Sequence, residues 1–430
     1  MTDKSHASGR FFLYAFFIGE TIMQKHISGK KHIWLPLLGS VMVIGALPVQ
    51  AESASLVEAI QAGKAGIDLR YRFEHVRQDN QDRNANASTL RTRLNYATGS
   101  YQRLSAFVEF DDIRVLGPTR YNNASGRSSA RTEYPVVADP SSTEVNQAYL
   151  TYSGLSDTTL RLGRQRIIYD NARFIGNVGW RQNEQTYDAF SLVNTSLSDT
   201  TLSYAYIDQV NRIFGKDSPI GETNMRSHLL NASYGGLPIG QLTAYGYFLE
   251  TPDTPSASNR TLGLRFTGSH ATSEQLSLLY ALEYAQQDDY KDGSSDIDAD
   301  YRLIELGATL NGVTARIGQE VLGADGTAFS TPLATAHAFN GWADAFLVTP
   351  PDGLDDRYLK VSGRLQGTNL LAGWHQFRAD RGSDRYGREL NLQAARPFGP
   401  VNLLAKYARY SAKDRGTDTE KFWLMAQIAF

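Results

Sequence analysis

The chain has 430 residues, with 43 Lys+Arg against 45 Asp+Glu, a mean hydropathy of −0.36 and no cysteine. So polar a mean excludes a bundle of membrane helices, each of which needs about 20 consecutive apolar residues; the missing cysteines exclude disulfide scaffolds, thiolate metal sites and cysteine nucleophiles. With 23 Tyr and 37 Gly against only 14 Pro, the composition favours strands.

Residues 1–51 read as an address. Lys25, Lys30 and Lys31 precede an apolar stretch from Ile33 to Leu47, which ends in Pro48-Val49-Gln50-Ala51. This is a signal peptide in outline, cut after Ala51, and its apolar run is too short to span a bilayer comfortably. Phe11–Ile18 is a second apolar run ahead of it, and Met23 is a more ordinary start than Met1, so residues 1–22 read as an over-extended beginning. Without residues 1–51 the balance is 38 basic to 43 acidic residues. Residues 52–63 read as a short periplasmic segment.

From Lys64 to Phe430 the recurring signal is alternation with period two, the mark of strands with two unlike faces. Ile67-Asp68-Leu69-Arg70-Tyr71-Arg72-Phe73-Glu74 alternates apolar and charged residues without a break. Eighteen such windows run from 64–77 to 421–430, among them 102–113, 157–168, 198–207 and 226–234. Their connections alternate long and short, with nine long loops and eight tight turns. Both ends of the chain fall on the short side, as an even-stranded membrane barrel demands. The predicted fold is an all-β, antiparallel up-and-down transmembrane barrel over 64–430, with 18 strands, short periplasmic turns and long extracellular loops, in the bacterial outer membrane. A soluble sandwich would bury the apolar faces instead, but gives no reason for the loop asymmetry.

The less apolar face of each strand then points into a watery lumen. It carries Arg70, Arg72, Arg91, Arg93, Arg103, Arg161, Arg265, Arg316, Lys360, Arg364 and Arg388, with acids at Asp68, Glu74, Glu109, Glu283 and Glu389. Arg70, Arg72, Arg91 and Arg93 fall on adjacent strands about 4.8 Å apart. Guanidinium groups so close repel one another unless acids, water or an anionic solute balance them. They predict an anion preference that weakens when Arg91 and Arg93 become Ser, in a pore narrowed by loops 114–142, 169–183 and 322–356.

The acidic run Asp288–Gly293 continues through Asp296, Asp298 and Asp300, but lacks the ligand spacing of a helix–loop–helix calcium site. No GxSxG, HExxH or phosphate-binding glycine loop is present. No cofactor, metal or nucleic acid is expected, nor any enzyme activity. His75, His228 or His375 could partner a strand serine in a lipase-type barrel, which is the enzyme alternative. A plugged structural or adhesion barrel is the other.

One stretch is recognisable: Leu162-Gly163-Arg164-Gln165-Arg166, then Arg173-Phe174-Ile175-Gly176-Asn177-Val178-Gly179-Trp180-Arg181-Gln182, ending Tyr187-Asp188-Ala189. It resembles the alginate-export family of outer-membrane porins, as does the first strand, Gly66–Glu74. The resemblance implies an eighteen-stranded barrel whose arginine-lined pore passes anionic polysaccharide or smaller anions. Lipid and lipopolysaccharide of the outer membrane are the expected surroundings, and a monomer is the expected form. It points to Arg164, Arg166, Arg173, Asn177, Trp180, Arg181 and Asp188 as a motif folded into or over the lumen, where it either meets solute or holds a loop through hydrogen bonds and an Arg–Asp pair. The family's long periplasmic gating loop would lie between the sixteenth and seventeenth strands, where this chain has only Arg396–Pro400. That departure favours a simple diffusion channel over gated polymer secretion.

Overall fold

The computed structural model describes residues 52–127 and 130–430, so the predicted signal peptide lies outside the described residues. The alternating windows form eighteen long strands: β1 (Lys64–Gln78), β2 (Ala85–Ala97), β3 (Leu104–Val115), β4 (Ser142–Leu155), β5 (Thr158–Gln165), β6 (Thr186–Asn194), β7 (Thr200–Asn211), β8 (Glu222–Leu237) and β9 (Gly240–Leu249). The second half continues with β10 (Asn259–Ala271), β11 (Leu276–Asp289), β12 (Ile297–Leu310), β13 (Val313–Leu322), β14 (Leu354–Leu365), β15 (Thr368–Arg378), β16 (Gly387–Phe398), β17 (Val401–Ala412) and β18 (Thr419–Ala429). Each pairs antiparallel with the next. β18 closes on β1 in register from Asp68–Ala429 to Gln78–Thr419, so the sheet has no open edge.

Alternation sets the two faces. Leu94, Leu162 and Ile317 are 48, 62 and 64% exposed, and they belong to a belt of outward leucines and isoleucines around the barrel. Their sequence neighbours point inward and are less exposed. In water such a belt would be strongly unfavourable; acyl chains remove the penalty.

Several boundaries move for local reasons. β3 begins at Leu104, because Gln102 and Arg103 take positive φ of 51° and 64° in the preceding turn. β5 ends at Gln165, three residues before the predicted end, as the chain leaves the wall for the interior. β7 and β8 reach further than predicted and leave only 212–221 between them. Four short elements were not predicted: a helix α1 (Leu56–Gln61), a two-residue strand, Asp325–Gly326, beside Ile297 and Asp298, and 3₁₀ turns at Pro255–Ala257 and Ala336–Ala338. Between β16 and β17 there is only a two-residue turn.

The core lies inside the barrel. Phe174 and Ile175 of loop 166–185, and Phe329, Leu333 and Phe346 of loop 323–353, pack against wall residues such as Tyr245, Tyr301, Phe377 and Tyr410. A bridge between Ile175 and Leu333 ties the two loops together.

Candidate functional site: the lumen and its loops

The site begins with the register of β1 and β2, which sets Arg70 opposite Arg91 and Asp68 opposite Arg93. All four predicted arginines point inward and are at most 9% exposed. Four guanidinium groups so enclosed demand acceptors. Arg93 forks onto Asp111 of β3 at 2.6 and 2.7 Å and reaches Glu184 at 3.0 Å. Arg91 reaches Asp68 at 2.5 Å, and Arg72 pairs with Asp139 of loop 116–141. Arg70 has no carboxylate partner among the described residues. It donates instead to the Gly179 carbonyl at 3.0 Å, to Gln182 Oε1 at 3.1 Å and to the Arg181 carbonyl.

The recognised motif supplies the other half. Glu184 accepts from Arg166 at 2.8 Å, Asn146 at 2.7 Å and Asn177 at 2.6 Å. Burial alone would raise its carboxyl, but Arg166 and Arg93 overcome that and hold it well below the ordinary range. Arg181 binds Glu74 of β1 at 3.0 Å and Asp344 of loop 323–353 at 3.2 Å, with Asp139 at 3.8 Å. One side chain thus joins wall and two loops. Arg173 ties its loop to Glu320 of β13 at 2.6 Å and to Asn340 at 3.2 Å.

Trp180 stacks on His337, ring centroids 4.7 Å apart. Lys406 of β17 lies 4.2 Å from the Trp180 ring, 3.7 Å from Trp342 and 5.6 Å from Trp423. Its ammonium donates to His337 Nε2 at 2.8 Å, and His337 Nδ1 donates to Asp344 at 2.6 Å. Burial pushes the imidazole down to about 3, with Lys406 and Arg181 adding to the effect against Asp344. The neutral ring therefore accepts on one nitrogen and donates on the other, which gives Lys406 one hydrogen-bond acceptor inside its aromatic cage.

The remaining predicted residues divide into three groups. Arg265 and Arg316 face inward but are paired, with Glu283 and Glu305. Arg161 and Lys360 also face inward, yet neither has a carboxylate partner among the described residues; they lie 5.1 Å from the Tyr149 ring and 4.3 Å from the Tyr358 ring. Arg364 is exposed near the end of β14, on the same inward face as Lys360. The rest do not face the lumen. Arg103 sits in the β2–β3 turn with Glu52, 3.4 Å away, and Arg388 lies outside, over Trp374, because its neighbour Glu389 occupies the inward position. Arg164 and Asp188 form a forked pair at 2.7 and 3.0 Å, but share the face of outward Leu162, so the motif is split between two sides of the wall.

Sequence reasoning missed Lys406, His337, Trp342, Trp423, Glu184 and Asp139. A signal existed for the acids, since buried arginines require carboxylates and Glu184 lies inside the recognised stretch. Nothing local marked the cage, whose members come from four separate segments. His75, His228 and His375 meet Asn86, Tyr204 and Asp356 rather than a serine. Among the described residues no group of side chains has metal-holding geometry.

The fold is similar to solved outer-membrane proteins. OccAB4 of Acinetobacter baumannii matches at a TM-score of 0.70 and 13% identity, over 89% of this chain and 98% of that one. OccK3 (OpdO) of Pseudomonas aeruginosa matches at 0.67 and 12%, over 87% and 97%. The outer membrane protein opdK of Pseudomonas aeruginosa matches at 0.66 and 14%, over 85% and 98%. No curated protein sequence matches. The family model described as "Alginate export" matches residues 62–316, which contain both the arginine stack of β1–β2 and the in-folded motif. With that match over more than half its length, on a closed barrel that holds its charged loops inside, the chain belongs to the alginate export family and is a porin-like channel of the bacterial outer membrane for passive transport of solutes.

Proposed function

We propose that this channel favours small anionic solutes, acidic saccharides among them, and carries out no chemistry. The observation that carries the reading is the placement of Arg161 and Lys360: inward, and without a carboxylate partner among the described residues. Arg364 adds a third positive charge on the same inward face. In a narrow bore with low-dielectric walls, a few charges outside the ion-pair network act on passing ions over several ångströms. The in-folded loops 116–141, 166–185 and 323–353 supply the narrowing. The chain would work as a monomer surrounded by lipid and lipopolysaccharide, after a signal peptide is removed at Ala51.

The test is a reversal-potential measurement on reconstituted channels in a salt gradient, followed by block with uronate oligomers. Anion preference and oligomer block are expected. Cation preference would overturn the reading, and absence of any conductance would favour a plugged structural barrel.

A further inference from the structure

Helix α1 lies outside the functions described so far. It is only six residues long, too short to persist alone in water, and the barrel holds it in place. Ala59 packs beneath the β2–β3 turn, and its carbonyl accepts from Gly99 N at 2.8 Å. The Ile60 carbonyl accepts from the Tyr96 hydroxyl and from Gly63 N. At the other end Ser55 Oγ accepts from Glu58 N at 3.2 Å, while the Glu58 carboxylate accepts from Ala54 N at 3.0 Å. Each end thus has a capping contact within the protein.

The side chains divide around the axis. Ala59 and Ala62 turn towards the barrel, and Glu58 and Gln61 form a polar sector. Leu56, Val57 and Ile60 fall within one arc of about 100° and are 60, 62 and 49% exposed. Tyr96, which holds the helix, points outward on the same face as Leu94 and Ile67 of the apolar belt. It stands two residues, about 6.6 Å, beyond Leu94 towards the periplasm. The apolar arc of α1 therefore continues the belt.

We infer that α1 is an interfacial anchor, with Leu56, Val57 and Ile60 inserted in the phospholipid leaflet that faces the periplasm. Its occupant is lipid rather than protein because the arc is continuous with a surface already clothed in acyl chains. Its capped ends and flanking Glu58 and Gln61 also suit a helix lying flat where headgroups meet tails.

The cysteine-free background permits a clean test. Single-cysteine variants V57C, I60C and E58C, with L94C on the belt as reference, carry a nitroxide label and are reconstituted in phospholipid vesicles. Power saturation then compares access of oxygen with access of a water-soluble nickel chelate. The expected oxygen-to-nickel ratio at 57 and 60 approaches that of 94 and exceeds that of 58 several-fold. A ratio at 57 and 60 equal to that at 58 would overturn the proposal, as would shielding from both reagents, which would mean a protein covering. The heat-dependent gel mobility of each variant shows that the barrel has closed.

Discussion

Two basic regions of the lumen behave in opposite ways. Around β1–β3, Arg70, Arg72, Arg91, Arg93, Arg166 and Arg181 are matched by Asp68, Glu74, Glu109, Asp111, Asp139 and Glu184, six cations against six anions. At β5 and β14, Arg161, Lys360 and Arg364 are sparse and have no carboxylate partner among the described residues. The dense region fastens loops to the wall through ion pairs, and under the proposed reading the sparse one is where positive charge meets solute. Density of arginine along a sequence does not measure the field in a pore; what decides is how many carboxylates fold onto it.

The largest expected effect comes from breaking the fastener. Arg181→Gln leaves Glu74 buried without its cation, which costs about 3–5 kcal/mol. Released loops should appear as noisy, enlarged single-channel currents and a lower unfolding temperature.

Acid acts next. His337 titrates near 3 in the folded loop against an ordinary 6.5, so a released loop takes up the proton first. Latch stability from this residue is complete above 6.5. It falls by about 1.4 kcal/mol for each unit below that, until about pH 3. Current noise should rise between pH 6 and 4, and less in His337→Gln, which holds no proton to gain.

Selectivity sharpens the comparison further. A unit charge at contact is worth about 1 kcal/mol in water, so Arg161→Ser and Lys360→Ser should each cut the anion-to-cation permeability ratio by about fivefold. Arg91→Ser with Arg93→Ser should destabilise the barrel more and change that ratio less. The opposite ranking in reversal potentials would dissolve the distinction between the two regions. Smallest of all, Asp188→Asn outside the wall should cost about 0.5–1 kcal/mol by thermal unfolding and leave conductance unchanged.

The barrel was legible in the sequence because strand parity is a local property. Ile67–Glu74 announces both faces at once, and the loop rhythm gives strand number and orientation. Parity also exposes where the lumen reading overreached: Arg388 and Glu389 are neighbours and cannot share a face, and Arg164 stands one residue from Gln165, which points in. The fastener was half legible. Arg72 could be assigned to the interior, but its partner Asp139 is 67 residues away in a loop with no periodicity to read. The Lys406 cage was not legible, since Trp180, His337, Trp342 and Trp423 converge only once three-dimensional closure is complete. Helix α1 escaped because six residues offer less than two turns of pattern.

That cage has a consequence for how the molecule assembles. Lys406 and Trp423 come from the last two strands to be synthesised, and Glu74 and Arg72 from the first. The interior loops draw on both, so they cannot reach their final packing until the seam between β18 and β1 has been sewn. The finished bore therefore depends on a finished wall, with β17, β18 and β1 all in place around it.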